Sequence, residues 1–249
     1  MVNADDPAWA AVTGAPRLVR FALDADADVR ATDRRYTPRG SSWSLCATGD
    51  EAPVSLPLIG DFNVANALGA AAAGWALGLG VGELAARLSS LPQVPGRLER
   101  ILDRPTVLRD YAHTPDALER ALGAVRPFAR RRMIVVFGCG GDRDSGKRPE
   151  MGAIAERLAD LAIVTSDNPR TEDPVRILDD IEAGMRGTNH ERHVDRRAAI
   201  ARALELADGD DVILLAGKGH ETYQIRGTTS YPFDEREIVR ELVASPSLR

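Results

Sequence analysis

Cysteine is scarce in this chain: two in 249 residues, Cys46 and Cys139, far apart. That excludes a disulfide framework and suits a reducing compartment. No apolar run approaches the ~20 residues that a membrane-spanning helix needs. The first residues, Met1-Val2-Asn3-Ala4-Asp5-Asp6-Pro7, carry neither a basic segment nor an apolar one, so no signal peptide is expected. A basic excess is absent as well. The net charge is -5, the wrong sign for a general nucleic-acid binder. Histidines number four, and no Cys/His set has metal-ligand spacing, so no metal site is expected. These absences make a cytoplasmic protein the simplest expectation, neither a general nucleic-acid binder nor a membrane-spanning one.

Hydrophobic residues make up 44% and charged residues 28%, ordinary for a globular protein. The length allows one large domain or two smaller ones. Residues 8–14 read as a short helix, and residues 17–23, 29–31, 43–46 and 54–59 as short strands between polar turns. An alanine-rich helix is expected over 67–77, ended by Gly78–Gly80, and a second amphipathic helix over 81–91. Asn63 and Asn66, three apart at the start of the first helix, suit helix capping better than a pair of amides facing a ligand. The run Pro92-Gln93-Val94-Pro95-Gly96-Arg97 reads as a linker, with a domain boundary after residue 97.

Beyond the linker the pattern alternates regularly. Strands are expected at 106–109, 133–137, 161–165, near 193–194 and at 212–215. Helices are expected at 115–129, 149–158, 174–185, 196–207 and 234–243. Such alternation predicts an α/β fold, a doubly wound and mostly parallel sheet over residues 98–249. In open parallel sheets ligands bind outside the carboxyl ends of the strands. Four candidate motifs follow strands and would therefore share one cleft.

Asp110-Tyr111-Ala112-His113-Thr114-Pro115 ends the first of these strands. An acid there suits a ribose hydroxyl, while a lone histidine such as His113 is more often structural. The stretch Gly141-Asp142-Arg143-Asp144-Ser145-Gly146-Lys147 begins like a phosphate-binding loop. However, Arg148 stands where a hydroxyl should reach magnesium, and two aspartates would repel phosphate, so that reading is rejected. Arg143, Lys147 and Arg148 against two carboxylates suit an anionic or zwitterionic ligand, and a solvated charged loop fits equally well. Asp167-Asn168-Pro169-Arg170 offers a carboxylate for an ammonium and a guanidinium for a carboxylate. Taken alone, a turn capping the next helix explains it better. In Gly217-Lys218-Gly219-His220-Glu221 the glycines allow close backbone approach, and Glu221 suits an amino group, though an ordinary glycine turn is as open. His190 and His193 receive no role.

Taken together, these motifs resemble the Mur ligase family. The residues carrying the resemblance are Asn3–Asp6, Gly60-Asp61-Phe62-Asn63-Val64-Ala65-Asn66, Val94-Pro95-Gly96-Arg97, Asp110–Pro115, Gly138–Asp144, Asp167–Arg170 and Gly217–Glu221. Within the family the likeness is to members that add meso-diaminopimelate to the peptidoglycan precursor UDP-MurNAc-L-Ala-D-Glu. It implies an ATP-dependent amide ligase acting through an acyl phosphate. By that likeness Arg143, Asp167, Asn168, Pro169, Arg170, Gly217 and Glu221 would hold diaminopimelate. Asn66, Arg97, Asp110 and His113 would face ATP. Phe62 departs from the histidine common in related ligases and is given no role.

No catalytic residue and no metal ligand is assigned. ATP and magnesium are the implied cofactors, with the magnesium ligands mostly outside this chain. Family members are longer, beginning with a uridine-nucleotide domain and a central ATPase domain with a Gly-Thr-Asn-Gly-Lys-Thr loop. The resemblance therefore equates residues 1–97 with part of the central domain, without its phosphate loop, and 98–249 with the C-terminal domain. A chain so truncated is expected not to form acyl phosphate alone. The alternatives are a non-catalytic binding module and a lysine-adding ligase, the latter opposed by Arg170.

Overall fold

In the computed structural model, which describes residues 1–12 and 14–245, the chain divides into two units between Gln93 and Val94. In the first unit strands β1 (Val2–Asn3), β2 (Arg20–Ala22), β3 (Val29–Thr37), β4 (Gly40–Ala47) and β5 (Asp50–Leu56) form one sheet in sequence order. β1 to β3 are parallel, and β3 to β5 form an antiparallel meander. Burial alternates along the meander, as a half-covered sheet requires. Val29, Ala31, Trp43, Leu45, Val54 and Leu56 face the core. Helices α1 (Asp61–Ala76) and α2 (Val81–Ser89) cover that face with Val64, Leu68, Ala72, Leu84 and Leu88.

The expected helix over 67–77 begins six residues earlier, at Asp61. Gly60, at φ 97, turns the chain into it, and the Asp61 carboxylate suits the positive end of the helix dipole. The short helix expected over 8–14 is a single 3-10 turn, Pro7–Trp9, and residue 13 of that stretch lies outside the described residues.

The second unit holds β6 (Glu99–Leu102), β7 (Thr106–Asp110), α3 (Pro115–Val125), β8 (Met133–Phe137), α4 (Lys147–Leu158), β9 (Leu161–Thr165), α5 (Pro174–Glu182), β10 (His190–His193), α6 (Arg196–Leu206) and β11 (Val212–Ala216). The hairpin β12 (Tyr223–Arg226) and β13 (Thr229–Pro232) and helix α7 (Glu235–Ala244) complete it. The strand order is β10-β9-β8-β11-β7-β6. All neighbours are parallel except the edge strand β6.

Every residue of β8 and β11 is buried, the mark of a parallel sheet covered on both faces. Ile134, Val136, Ile213 and Leu215 pack with Ala199, Ile200, Ile238 and Val239 of α6 and α7. Alternate residues Val135, Phe137 and Leu214, equally buried, point to the other face, where α3, α4 and α5 lie side by side. The sheet is thus the doubly wound, Rossmann-like one that the alternation predicts.

The chain leaves β8 for α4 on one face and leaves β11 toward α7 on the other. The switch point lies between these adjacent strands, where a ligand crevice is expected. The unit boundary falls four residues before the expected one, within the Pro/Gly run. Gly96 already belongs to the second unit: its N–H donates to Glu99 at 2.9 Å and its carbonyl accepts from Tyr111 N–H at 2.9 Å. Among the described residues no helix is long and apolar enough to cross a membrane.

Candidate functional site

The motifs after β7, β8, β9 and β11 stand at the same edge of the second unit's sheet, because all four strands are parallel. Close backbone approach stitches their loops together. A Cβ on Gly138 would stand 2.0 Å from Thr165 O. Gly141 N–H donates to Asn168 O at 2.9 Å. Gly96, at φ 69, packs where a Cβ would meet His220 N at 2.3 Å. Glycine is required there for both conformation and space.

The loop after β9 has two poles. At the acidic pole, Asp167 is buried and its Oδ1 has no hydrogen-bond donor among the described residues. Glu221, from the loop after β11, accepts a bond from Asn168 Nδ2 at 2.9 Å. Gly217, at φ 111, faces the same carboxylate, its ideal Cβ 3.9 Å from Asp167 Cγ. At the basic pole, Arg170 Nη1 donates to Gly141 O at 2.8 Å and to Asn168 O at 3.4 Å. The guanidinium lies beside Gly140, with Arg143 on the other side: an ideal Gly140 Cβ would stand 2.9 Å from Arg170 Nη1 and 3.8 Å from Arg143 Cγ. Asn168 touches both poles, through its amide and through its carbonyl. Pro169 is buried between them, and Arg170 takes φ 52. The main chain holds that turn: Arg170 N–H donates to Ile225 O at 3.1 Å and Gly227 N–H to Arg170 O at 2.7 Å. A carboxylate and a guanidinium held apart on this loop, with Glu221 and Arg143 supplied by neighbouring loops, can grip an amino acid at both its charges.

Sequence reasoning gave Lys218 no role, yet it organises the acidic pole. Its side chain is fully buried, and Nζ donates to Asn168 Oδ1 at 3.0 Å and to Tyr223 O at 2.7 Å. Asp167 and Glu221 carboxylate oxygens each lie 3.5 Å from it. Burial pushes this ammonium's pKa down, against the pull of Asp167 and Glu221. Gln224, also unforeseen, donates to Asp167 O at 2.8 Å. A lysine between two glycines looks like a solvated turn residue, so only its motif could have singled it out.

Two of the cations that suited a ligand or a solvated loop equally well are engaged by the protein itself. Arg148 is buried and bonds Asp180 at 2.8 Å, Glu172 at 2.9 Å and Gly140 O at 3.3 Å. Lys147 donates to His113 O at 2.6 Å. The loop's acids are spent locally too. Thr171 donates to Asp142, which holds that carboxyl below its usual range, and Gly146 N–H donates to Asp144 at 2.9 Å. Cys139 is buried against Met151, and desolvation pushes its thiol up to about 12, so it is no nucleophile.

A second cluster surrounds the end of β7. Asp110 is buried and accepts from Leu98 N–H at 2.7 Å. Desolvation raises its pKa, against the backbone bonds and Arg97. The Tyr111 ring lies 4.5 Å from that of His113 and 5.6 Å from that of His220, and the Arg97 guanidinium is 5.4 Å from its centroid. This exposed aromatic and cationic surface, beside an acceptor, has the chemistry of a nucleoside site. Tyr111 was not picked out from sequence. Asn66 lies in the other unit, exposed on α1. Asn63 is no cap: its amide donates backwards to Ile59 O at 2.7 Å, and the cap position is Gly60.

Among known families, the one described as Mur ligase, glutamate ligase domain, matches residues 96–219, and the Mur ligase middle domain matches residues 1–74. The chain is 48% identical over 250 residues to a UDP-N-acetylmuramoyl-L-alanyl-D-glutamate–2,6-diaminopimelate ligase of Gloeobacter violaceus, covering 98% of this chain and 51% of the relative. A ligase of the same name from Geobacillus kaustophilus is 46% identical over 250 residues, with the same coverage. The chain thus spans about half the length of the curated relatives it matches. A solved structure of a ligase of that name superposes with a TM-score of 0.68 at 36% identity, over 97% of this chain and 52% of the other.

Proposed function

The chain belongs to the Mur ligase family, and from that premise we propose that it serves an ATP-dependent ligase joining meso-diaminopimelate to UDP-MurNAc-L-Ala-D-Glu. The observation that carries this reading is the two-pole loop, Asp167 and Glu221 at one end and Arg170 with Arg143 at the other, bridged by Asn168. One amino-acid head group has an ammonium for the acidic pole. Diaminopimelate has a second carboxylate for the guanidiniums, which lysine lacks. Asn168, Pro169 and Gly217 shape the floor between them. The relatives' name states the same amino acid.

In the proposed reaction the D-glutamate carboxylate takes the γ-phosphoryl group of ATP, releasing ADP. The diaminopimelate nitrogen then attacks the carbonyl carbon, phosphate leaves, and the nitrogen sheds its proton. This chain's share is to hold and aim the amine, a contribution of proximity and orientation. Asp110, Arg97 and His113 are proposed to face ATP, Asp110 at the ribose and Arg97 at a phosphate. Among the described residues no group of three or more His, Cys, Asp or Glu side chains could hold a metal ion. No step is assigned to magnesium.

The test is an NMR titration of this chain with meso-diaminopimelate and, separately, L-lysine. Saturable shifts at Asp167, Asn168, Arg170 and Glu221 with diaminopimelate, and weaker ones with lysine, are expected. Equal responses to both, or shifts confined to other residues, would overturn the reading.

A further inference from the structure

We propose that Lys218 is a positioning residue that fixes the net charge of the acidic pole at minus one, so that the pole accepts one ligand ammonium without exchanging a proton. The inference rests on the ligase reading above. Two carboxylates, Asp167 and Glu221, lie 3.5 Å from a single ammonium. The remaining charged groups behind it are Arg196 and Glu235, fully buried and paired at 2.8 Å. They cancel. The three groups at the pole therefore leave one negative charge uncompensated. Two carboxylates that share one ammonium, with one negative charge in excess, suit one cationic group from a ligand.

Lys218 cannot touch that ligand itself. Its side chain has no exposure, its Nζ is occupied by Asn168 Oδ1 and Tyr223 O, and the rings of Tyr223 and Phe233 lie 6.0 and 5.8 Å from it. It acts through its neighbours. It holds the acceptor oxygen of Asn168, which turns the amide so that Nδ2 reaches Glu221. Stability alone gives little reason for a charge there, because apolar groups of similar volume often replace buried charges at no cost. Without the ammonium, the facing carboxylates would repel, and one would take up a proton.

The test uses the intact chain and the variants Lys218→Met and Lys218→Arg. First, the carboxyl carbons of Asp167 and Glu221 are titrated by 13C NMR without ligand. In Lys218→Met one of the two is expected to titrate about 1–3 units higher than in the unsubstituted chain, and Lys218→Arg to restore most of the difference. Second, diaminopimelate binding near pH 7 is measured by calorimetry in two buffers of different ionisation enthalpy. The unsubstituted chain should bind with no proton exchange. Lys218→Met should bind at least tenfold more weakly and release up to one proton. Unchanged carboxylate titrations would overturn the proposal, even if affinity fell, since a merely structural lysine would give that result. If Lys218→Met fails to fold, Glu221→Gln replaces it: the Asp167 titration should then move down and the Lys218 Nζ resonance should shift, and no response in either would overturn the proposal. The ligand-free titration stands whether or not diaminopimelate binds, so a failure of the ligase reading is seen separately, as absence of binding to the unsubstituted chain.

Discussion

Arg148 Nη2 lies 2.9 Å from a Glu172 carboxylate oxygen, and that pair fastens the start of α4 to the loop after β9. Arg148 is 2% exposed, and its other bonds go to Asp180 and to Gly140 O. Glu172 also accepts the Asp142 N–H, so it sits at the junction of both loops. Replacing Arg148 by methionine would leave the apolar volume but strand these acceptors. Breaking a buried pair in this way costs about 3 kcal/mol, the low end because both carboxylates reach solvent. For a unit of this size that lowers the unfolding midpoint by roughly 6–12 °C, which differential scanning calorimetry would read. A change of a degree or less would show that the network is ornamental.

The same network contributes to stability toward acid. Glu172 is held below its ordinary value of 4.5, first by the Arg148 bond and then by the Asp142 N–H. Asp142 is held below 3.8, first by the Thr171 hydroxyl. A carboxyl whose folded pKa is depressed contributes stability that is fully present above its unfolded value and lost as pH falls through the folded one. Stability against urea should therefore be level from neutrality to about pH 5 as far as these two groups are concerned, and should fall below pH 4.5. Glu172→Gln should be less stable than the unsubstituted chain at pH 7, with the two converging at low pH. A constant gap at every pH would contradict this account.

Gly141 tests how tightly the two loops meet. An ideal Cβ on it would stand 1.9 Å from Pro169 O, which is backbone and cannot swing aside. Its φ is not positive, so the obstacle is space alone. Gly141→Ala should force the Pro169 turn outward, weaken the Gly141 N–H to Asn168 O bond, and cost about 1–3 kcal/mol as an overpacked contact does. Faster amide exchange at residues 168–171 would locate the damage. Exchange and midpoint both unchanged would mean that the loops have more slack than the structure gives them.

Much of this second unit is legible from residue order because each strand of the parallel sheet is a short apolar run between breakers. Met133–Phe137 and Leu161–Thr165 are strands at the very residues expected. β6 is not legible, since Glu99-Arg100 looks like solvated loop. Glu99 is buried only because Arg109, 2.5 Å away, and Arg236 neutralise it from elsewhere in the fold. The candidate site follows the same division. Asp110, Asp167, Asn168, Arg170 and Glu221 stand at strand ends, which alternation alone locates. Arg148 and Lys218 look like surface charges, and their burial depends on partners such as Glu172 and Asn168, 24 and 50 residues away. Pairings across such separations leave no periodic signal.

Arg170 is where conformation and chemistry are both at stake. Its Nη1 is engaged by Gly141 O, and the rest of the fork remains for a ligand carboxylate. Arg170→Ala would remove that fork, while the left-handed conformation at φ 52 is a strain that arginine bears as much as alanine does. Arg170→Asn also removes the fork and eases that strain, because asparagine tolerates the region. Both variants should lose a charge-assisted contact worth about 1.5–3 kcal/mol, weakening diaminopimelate binding by roughly 10- to 150-fold. L-lysine, lacking the second carboxylate, should bind the variants and the unsubstituted chain alike. Arg170→Lys should recover little, since an ammonium cannot present two parallel donors. If diaminopimelate and lysine weaken together in Arg170→Asn, the guanidinium maintains the loop rather than reading the ligand, and selectivity would have to come from Arg143.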